Sequence, residues 1–340
     1  MSLVSRHVTG LRTLSVLAAL ALAGTLAWLP ADASAASSCD PDIERCEAEL
    51  DVKIKGSGKA KRGTLRQTEV GNKVRLVGTL RPYVPGQKVT VRLKLGKKTA
   101  FRKTVKVKPS KSGNIGKFNV LSKPLVTGGP YRATAVHLAT PQQDRAKDRT
   151  PKLRINVPAI GPNSSRAQIL LLQRWLKRLG YYVPRNGKWD GGTQRAVLAF
   201  RKTNRMARTT NASVDVTRML AAGQGGYKVR FPQNGRHVEA DLSRQIMVLV
   251  DKGKAQHIFH ISSGAPVTPT LRGNFRFYRY EPGYNNLGMY YSVYYDRGYA
   301  IHGYKSVPTY PASHGCLRNP TANSIFIYNW VKIGMQINIY

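Results

Sequence analysis

The spacing of apolar residues changes along the 340-residue chain, and this change restricts the possible folds more than any other feature of the sequence. Between residues 51 and 157, apolar and polar residues alternate, as in "KVTVRLKLG" and "KTVKVK". A two-residue period is typical of half-buried strands. Turn sequences such as "VPGQ", "KSGN" and "TGGP" separate these runs. The pattern predicts a β-sandwich of immunoglobulin type, although the cysteine and tryptophan signature of true immunoglobulin domains is missing.

A helical period follows the linker "VPAIGPN". Ser164 or Ser165 can cap the first helix, and Gly180 can end it. A second helix is predicted from about Thr193 to Asn204, and Asp215 is expected to cap a short third one. The apolar face of the first helix consists of Ile169, Leu172, Leu176 and Leu179.

The N-terminus has the layout of a secretory signal peptide over residues 1–36. Arg6 and Arg12 precede an apolar run from Leu14 to Leu29, and the small residues Ala33-Ser34-Ala35 follow it. This run spans roughly 24 Å as a helix, less than the ~30 Å hydrocarbon core of a bilayer. We therefore predict export to the periplasm, cell wall or medium, with no transmembrane span in the mature chain. Cleavage of the signal stays open.

The three cysteines fall into two groups. Cys39 and Cys46 lie close together in an acidic stretch, where an oxidising compartment favours a disulfide between them. Cys316 is then left over. An odd cysteine in an exported protein is an intermolecular link or a reactive thiol, whereas most free cysteines are inert packing residues. Because His302 and His314 lie nearby in the sequence, we favour a nucleophile activated by an imidazole.

The charge of the chain indicates an anionic partner. The formal net charge is +38, and residues 51–157 alone carry 27 basic and 4 acidic side chains, a net charge of +23. Nucleic acid is the usual partner of such a chain, but export argues against it. We expect the N-terminal unit to bind anionic wall polymers. The alternative is a well-solvated surface without a specific partner.

Two parts of the sequence resemble known families. The stretch "QILLLQRWLKRLGYYVPRNGKWDGGTQRAVLAFRKTNRM" resembles the small three-helix peptidoglycan-binding domain, although Arg201 stands where that family usually has Gln. The segments "VEADLSRQIMVLVDKGK", "SSGAPVTPTLRGNF" and "AIHGYKSVPTYPASHGCLRNP" follow in the order of the L,D-transpeptidase (YkuD-like) catalytic domain. This second resemblance implies a mostly β domain with a cysteine nucleophile, and the residues themselves predict a hairpin around Asp251-Lys252-Gly253.

The predicted fold is therefore multidomain and mainly β. Its units are a signal peptide at 1–36, an acidic segment at 37–50, a basic immunoglobulin-like sandwich at 51–157, a three-helix domain at 158–225 and the catalytic domain at 226–340.

The resemblance assigns roles to the residues around Cys316. A thiol with a pKa near 8.5 is only a few per cent ionised at neutral pH, so acyl transfer needs an adjacent base. His302 matches the base of the family, and His314 is expected to position substrate. The amides of His314, Gly315 and Cys316 are candidate donors to the oxyanion. Arg318 is expected either to pair with a substrate carboxylate or to form a structural ion pair. The remaining substrate-site candidates are Ser313, Gly303 and Tyr290.

The segment "EPGYNNLGMYYS", which contains Tyr290, combines Gly, Pro and Asn with aromatic residues and is predicted to form a mobile lid. Most of the other tyrosines between residues 278 and 310 are expected to pack within strands.

We predict an exported, monomeric cysteine acyltransferase without a cofactor, which forms 3→3 cross-links between peptidoglycan stem peptides through a thioester on Cys316. An L,D-carboxypeptidase on the same stems and an inert wall- or polyanion-binding protein are the alternatives. A cysteine endopeptidase is less compatible, because its cysteine usually precedes its histidine. A zinc site formed by His302, His314 and Cys316 is the alternative chemistry for these three residues.

Overall fold

The computed structural model describes residues 40, 44–56 and 65–340. The predicted signal peptide and Cys39 lie outside these residues. Cys46 is disulfide-bonded, and Cys316 is the free cysteine of the described part. No helix among the described residues is long and apolar enough to cross a membrane.

The N-terminal unit consists of two sheets that share one core. In the first sheet the strand order is β1-β3-β7-β6, and in the second it is β2-β10-β8-β4-β5, with β9 paired to β8. Alternate residues such as Leu76 and Val91 point into the common core, as the two-residue period predicts. The mainly β character is confirmed, and the immunoglobulin type stays a prediction. The strands are β1 Glu49–Gly56, β2 Gln67–Glu69, β3 Val74–Arg81, β4 Lys88–Leu95, β5 Lys98–Lys106, β6 Lys108–Pro109, β7 Gly116–Leu121, β8 Gly129–His137, β9 Ala146–Arg149 and β10 Leu153–Asn156.

Three helices follow, as predicted: α1 Arg166–Arg178, α2 Gly191–Thr203 and α3 Val214–Ala222. Of the two candidate caps, Ser165 caps α1, in a capping box with Gln168. The prediction that Asp215 caps α3 is wrong. Ser213 is the N-cap, and Asp215 lies in the first turn, where a carboxylate still interacts favourably with the helix dipole. Arg201 is buried and donates to the backbone oxygens of Ala207 and Asn211, so its guanidinium holds the loop after α2.

The C-terminal unit contains two further sheets and a helix. The strand orders are β13-β12-β11-β19-β14 and β15-β16-β17-β18. The predicted hairpin is confirmed: β12 and β13 turn at Lys252-Gly253, both with positive φ. A helix, α4, lies in a region where only strands were predicted. The elements are β11 His237–Asp241, β12 Ile246–Asp251, β13 Lys254–His260, β14 Gly273–Arg276, β15 Arg279–Tyr284, β16 Tyr290–Asp296, β17 Tyr299–Tyr304, β18 Leu317–Pro320, α4 Thr321–Trp330 and β19 Gln336–Ile339.

The helical unit packs directly on the C-terminal unit. Lys202 of α2 is buried, and its Nζ donates to the backbone oxygens of Gln245 at 3.2 Å and Ile261 at 2.9 Å. Burial lowers the pKa of Lys202 to about 7, with a contribution from the charge of Arg208. Beside it, Gly180 after α1 adopts φ +90°, and its oxygen accepts from the amide of Ile258. These contacts fix α2 against the strands β12 and β13.

Acid should destabilise this fold through its buried histidines. Burial lowers the pKa of His260 to about 3 and that of His302 to about 4, from 6.5. The unfolded chain therefore binds more protons below pH 6.5, and stability is lost as the pH falls from there towards 4. We expect the free energy of unfolding to drop by roughly 1.4 kcal/mol per pH unit for each of these histidines. Urea denaturation at several pH values measures this slope.

A pair of variants tests whether the buried histidines cause this loss of stability in acid. Because burial also lowers the pKa of His257 to about 4, His260→Leu should remove about a third of the slope, whereas His314→Gln, which changes an exposed side chain, should leave it unchanged. An unchanged slope in His260→Leu would show that other groups are responsible.

Candidate active site

The pairing of β17 with β18 brings Cys316 and His302 to one face of a sheet. These strands are parallel, with Ile301 opposite Leu317 and His302 opposite Arg318. Paired residues point to the same side and alternate along each strand. Cys316, two positions before Arg318, therefore lies on the face of His302, and it packs against Ala300, two positions before His302. The structure thus joins residues fourteen positions apart in sequence.

The thiol of Cys316 is half-buried and uncharged at neutral pH. It packs against Met289 and Tyr294 as well as Ala300, and its Sγ lies 3.6 Å from the backbone oxygen of Gly298. Burial raises the pKa of this thiol, although the positive charge of Arg318 opposes the shift. The thiol therefore needs a base to become a nucleophile.

His302 is suited to be this base. Its side chain is 3% exposed, and Nδ1 lies 2.9 Å from the backbone oxygen of Gly303. Because a carbonyl can only accept, Nδ1 carries the proton and Nε2 carries the lone pair. Burial, together with the charge of Arg318, lowers the pKa of His302 to about 4, so the ring is neutral at pH 7. A neutral imidazole with a defined tautomer can take the proton of the thiol.

The side chain of Ser313 closes the turn before Cys316. Ser313 Oγ donates to the backbone oxygen of Cys316 at 2.6 Å and accepts from the amide of Gly315 at 3.1 Å. The N–H of Gly315, one of the three predicted oxyanion donors, therefore already has an acceptor in this structure. The amides of His314 and Cys316 stay as the candidate donors. Gly315 has φ +109°, and a Cβ there would collide with the ring of Tyr299.

A second segment, between β13 and β14, supports this turn. The backbone oxygen of Ser263 accepts from the amide of Ser313 at 2.9 Å. Thr268 Oγ1 donates to the oxygen of Ser313 at 2.9 Å, and Thr270 Oγ1 donates to the oxygen of Gly315 at 2.7 Å. These positioning residues were not predicted from the sequence. The feature that could have revealed them is the cluster of Ser, Gly and Thr directly after a buried strand, because Ser and Thr side chains hydrogen-bond to the backbone in turns.

Arg318 does not form the structural ion pair that was one of the two expectations from sequence. Its guanidinium lies 4.2 Å from the ring centroid of Tyr304, and one nitrogen donates to the oxygen of Ala312 at 3.0 Å. Among the described residues it has no carboxylate within 4.0 Å. The half-buried cation thus braces the loop before the nucleophile and adds positive charge beside Cys316 and His302.

The other predicted site residues lie further from the thiol. The side chain of His314 is exposed. Gly303 faces α4, where a Cβ would overlap Ser324, and its carbonyl orients the ring of His302. Tyr290 lies opposite Gly303 in β16, and its ring packs on Tyr284 with centroids 4.4 Å apart. In the structure, Gly303 therefore allows close packing against α4, and Tyr290 makes an aromatic contact with Tyr284.

The segment predicted as a lid is a hairpin of β15 and β16. Asn285 closes its turn, because Oδ1 accepts from the amides of Leu287 and Met289. Met289 then packs beside Cys316. The segment predicted as a mobile lid is therefore a regular hairpin that covers one side of the thiol. Among the described residues no group of three or more His, Cys, Asp or Glu side chains could hold a metal ion, so His302, His314 and Cys316 do not form the zinc site considered as an alternative.

Comparisons with known proteins agree with this arrangement. Residues 235–339 match the family model of the L,D-transpeptidase catalytic domain, and residues 165–220 match that of a putative peptidoglycan binding domain. A solved L,D-transpeptidase from Xylanimonas cellulosilytica is 31% identical over 54% of this chain and 98% of its own, with a TM-score of 0.50. This chain belongs to the L,D-transpeptidase family.

More distant members of the family are also similar. The catalytic domain of the L,D-transpeptidase from E. faecium is 25% identical over 32% of this chain and 98% of its own, with a TM-score of 0.28. The L,D-transpeptidase from Mycobacterium smegmatis is 12% identical over 85% of this chain and 99% of its own, with a TM-score of 0.28. A search of curated proteins found no match.

Replacement of Thr270 tests the support of the nucleophile turn in this L,D-transpeptidase. Thr270→Val keeps the shape but removes the donor to Gly315 and the acceptor for the amide of Gly264. We expect acylation of Cys316 by a carbapenem or a stem peptide to slow by about tenfold, because an unpaired buried backbone group costs about 1–3 kcal/mol.

The matched variant Thr270→Ser keeps the hydroxyl and should restore most of the rate. If Thr270→Ser were as slow as Thr270→Val, the lost methyl packing and not the hydrogen bonds would be responsible.

Proposed function

We propose that this L,D-transpeptidase is exported and cross-links peptidoglycan stem peptides 3→3, with Cys316 as its nucleophile. The observation that carries the proposal is the face of the sheet that Cys316 and His302 share, which presents an uncharged thiol and an uncharged imidazole on the same side. The signal-like N-terminus and the match to a peptidoglycan-binding domain support a site of action in the wall.

The first step is acylation of the thiol. His302 Nε2 takes the proton of Cys316 as the sulfur attacks the carbonyl carbon of the third stem residue. The amides of His314 and Cys316 donate to the developing oxyanion. When the tetrahedral intermediate collapses, the C–N bond to the terminal D-alanine breaks, and the imidazolium of His302 returns its proton to the leaving amine. A thioester on Cys316 and free D-alanine result.

The second step releases the enzyme. The side-chain amine of another stem attacks the thioester carbonyl and transfers a proton to His302, the C–S bond breaks, and the proton returns to the sulfur. The product is an amide between two third-position residues. Water as the acceptor would give a trimmed stem by the same route, which is the carboxypeptidase alternative. An inert binding protein would form no thioester.

Variants of the two histidines test the acylation step. His302→Ala should slow adduct formation on Cys316 by about 10²- to 10⁴-fold, the usual contribution of a general base. His314→Ala should slow it more mildly, because its side chain is exposed and its backbone amide is retained. Intact-mass spectrometry after mixing with a stem tetrapeptide or a carbapenem measures the rate, and Cys316→Ser should form no thioester.

The pH dependence separates these roles. With the pKa of His302 near 4, the wild-type rate should change little between pH 5.5 and 7.5. Without the base, reaction depends on thiolate, and the rate of His302→Ala should rise about tenfold per pH unit below the thiol pKa. If His314→Ala were the slower variant and His302→Ala kept the wild-type profile, the two roles would be exchanged.

The basic N-terminal unit supports an anchoring role on anionic wall polymers. A groove of about 890 Å³ runs along the sheet β1-β3-β7-β6 and has Phe118 and Val77 in its floor. Its one acidic side chain, Asp51, is paired with Lys53 at 2.8 Å. The basic residues that line the groove are Lys53, Lys55, Arg75, Lys106, Lys108 and Lys117. Because Asp51 balances only one of these positive charges, the groove favours a polymer with repeated negative charges.

Retention on isolated cell walls should therefore fall with salt, because screening shortens from ~10 Å at 0.1 M to ~3 Å at 1 M. Lys106→Gln/Lys117→Gln should lower retention at 0.1 M salt more than Lys97→Gln/Lys98→Gln, which removes the same charge from exposed positions where β5 begins, outside the groove. Binding that resists 1 M salt, or equal loss in both double variants, would contradict a specific groove.

A further inference from the structure

A second basic cleft lies at the junction of the helical and C-terminal units. It consists of two adjoining cavities of about 610 Å³ and 260 Å³, which share Arg205, Ser243 and Arg244. We call it the junction cleft. Seven of its lining side chains are Lys or Arg, and a single one, Asp241, is acidic. The family motifs around Cys316 do not include these residues.

Asp241 cannot neutralise this cleft. One of its oxygens accepts from Ser243 Oγ at 2.6 Å, and the other pairs with Arg244 at 2.8 Å. Arg205 and Arg272 have no carboxylate within 4.0 Å among the described residues, and both side chains are exposed. Unpaired arginines held around one concave surface attract a ligand with several negative charges.

Two further observations define the cleft. Arg244 lines both cavities beside Arg205. Arg205 adopts φ +55° at the C-terminal end of α2, where the amides of Arg205 and Met206 donate to the oxygens of Lys202 and Arg201. This regular helix end fixes the backbone that carries Arg205 at the shared part of the cleft.

We propose that the junction cleft binds a phosphate-bearing polyanion, with Arg205 and Arg272 contacting neighbouring phosphates and Arg244 adding positive charge between them. A phosphate offers several acceptor oxygens to donors from different directions, whereas a carboxylate offers two in one plane. The cleft is lined by seven basic side chains and one acidic side chain, and a single carboxylate on a ligand would not balance this excess of positive charge. The proposal refines the wall-polymer part of the proposed function and is independent of the reaction at Cys316.

Calorimetric titration of the full-length exported protein with inorganic tripolyphosphate tests the site. Arg205→Gln/Arg272→Gln should weaken binding by about tenfold, since one charge-assisted hydrogen bond contributes roughly that factor. Lys254→Gln/Lys332→Gln removes the same charge from exposed positions outside the cleft and should bind like the wild type. Equal weakening in both double variants, or no saturable binding by the wild type, would overturn the proposal.

The choice of phosphate over carboxylate has its own control. Citrate, which carries several carboxylates, should bind more weakly than tripolyphosphate, and binding of equal strength would overturn the phosphate assignment. Adduct formation on Cys316 should proceed in every cleft variant. The experiments therefore distinguish an error in the proposed phosphate site from an error in the proposed reaction.

Discussion

Parallel pairing of β17 with β18 is the constraint on which the active site depends. In this register His302 and Cys316 share a face, and Gly303 and Asn319 point to the other face, against α4. A slip by one residue would move His302 into the helix interface, because side chains alternate along a strand. Close packing of Gly303 on Ser324 opposes such a slip, since the helix approaches the strand where a Cβ is missing. The contact of Gly303 with Ser324 therefore helps to keep His302 on the face of Cys316.

Burial then sets the protonation states of this pair. Desolvation disfavours both the thiolate of Cys316 and the imidazolium of His302, so the resting site contains two neutral groups. A buried ion pair would carry a larger desolvation penalty, which fixed dipoles would have to offset. Charge appears in the site only as the proton moves. The donors that face this charge must already be in place, and the hydrogen bonds from Ser313, Thr268 and Thr270 hold the turn that presents them.

Sequence reasoning named the residues that we propose to react but not the residues that hold them. Cys316 was predicted as a nucleophile because an odd thiol near histidines has few structural explanations, the role of His302 was implied by the family resemblance, and the helices were predicted from their period. The support from Ser263 and Thr270 was missed because those contacts join positions roughly 45 to 50 residues apart, which local periodicity does not encode. The helix α4 was missed because Ile, Phe, Tyr and Trp in "TANSIFIYNW" favour strands, and tertiary packing overrides such preferences.

The rigid contact between the helical and C-terminal units bears on how wall binding can assist the reaction. A flexible tether would raise the local concentration of stems without orienting them. Here Lys202 donates to two backbone oxygens of the C-terminal unit, and Arg208 donates to the oxygen of Thr309 in the loop before the nucleophile. A glycan held by the helical unit would thus be presented to Cys316 in a restricted set of orientations. Orientation of this kind lowers the entropic part of an activation barrier, which concentration alone cannot do.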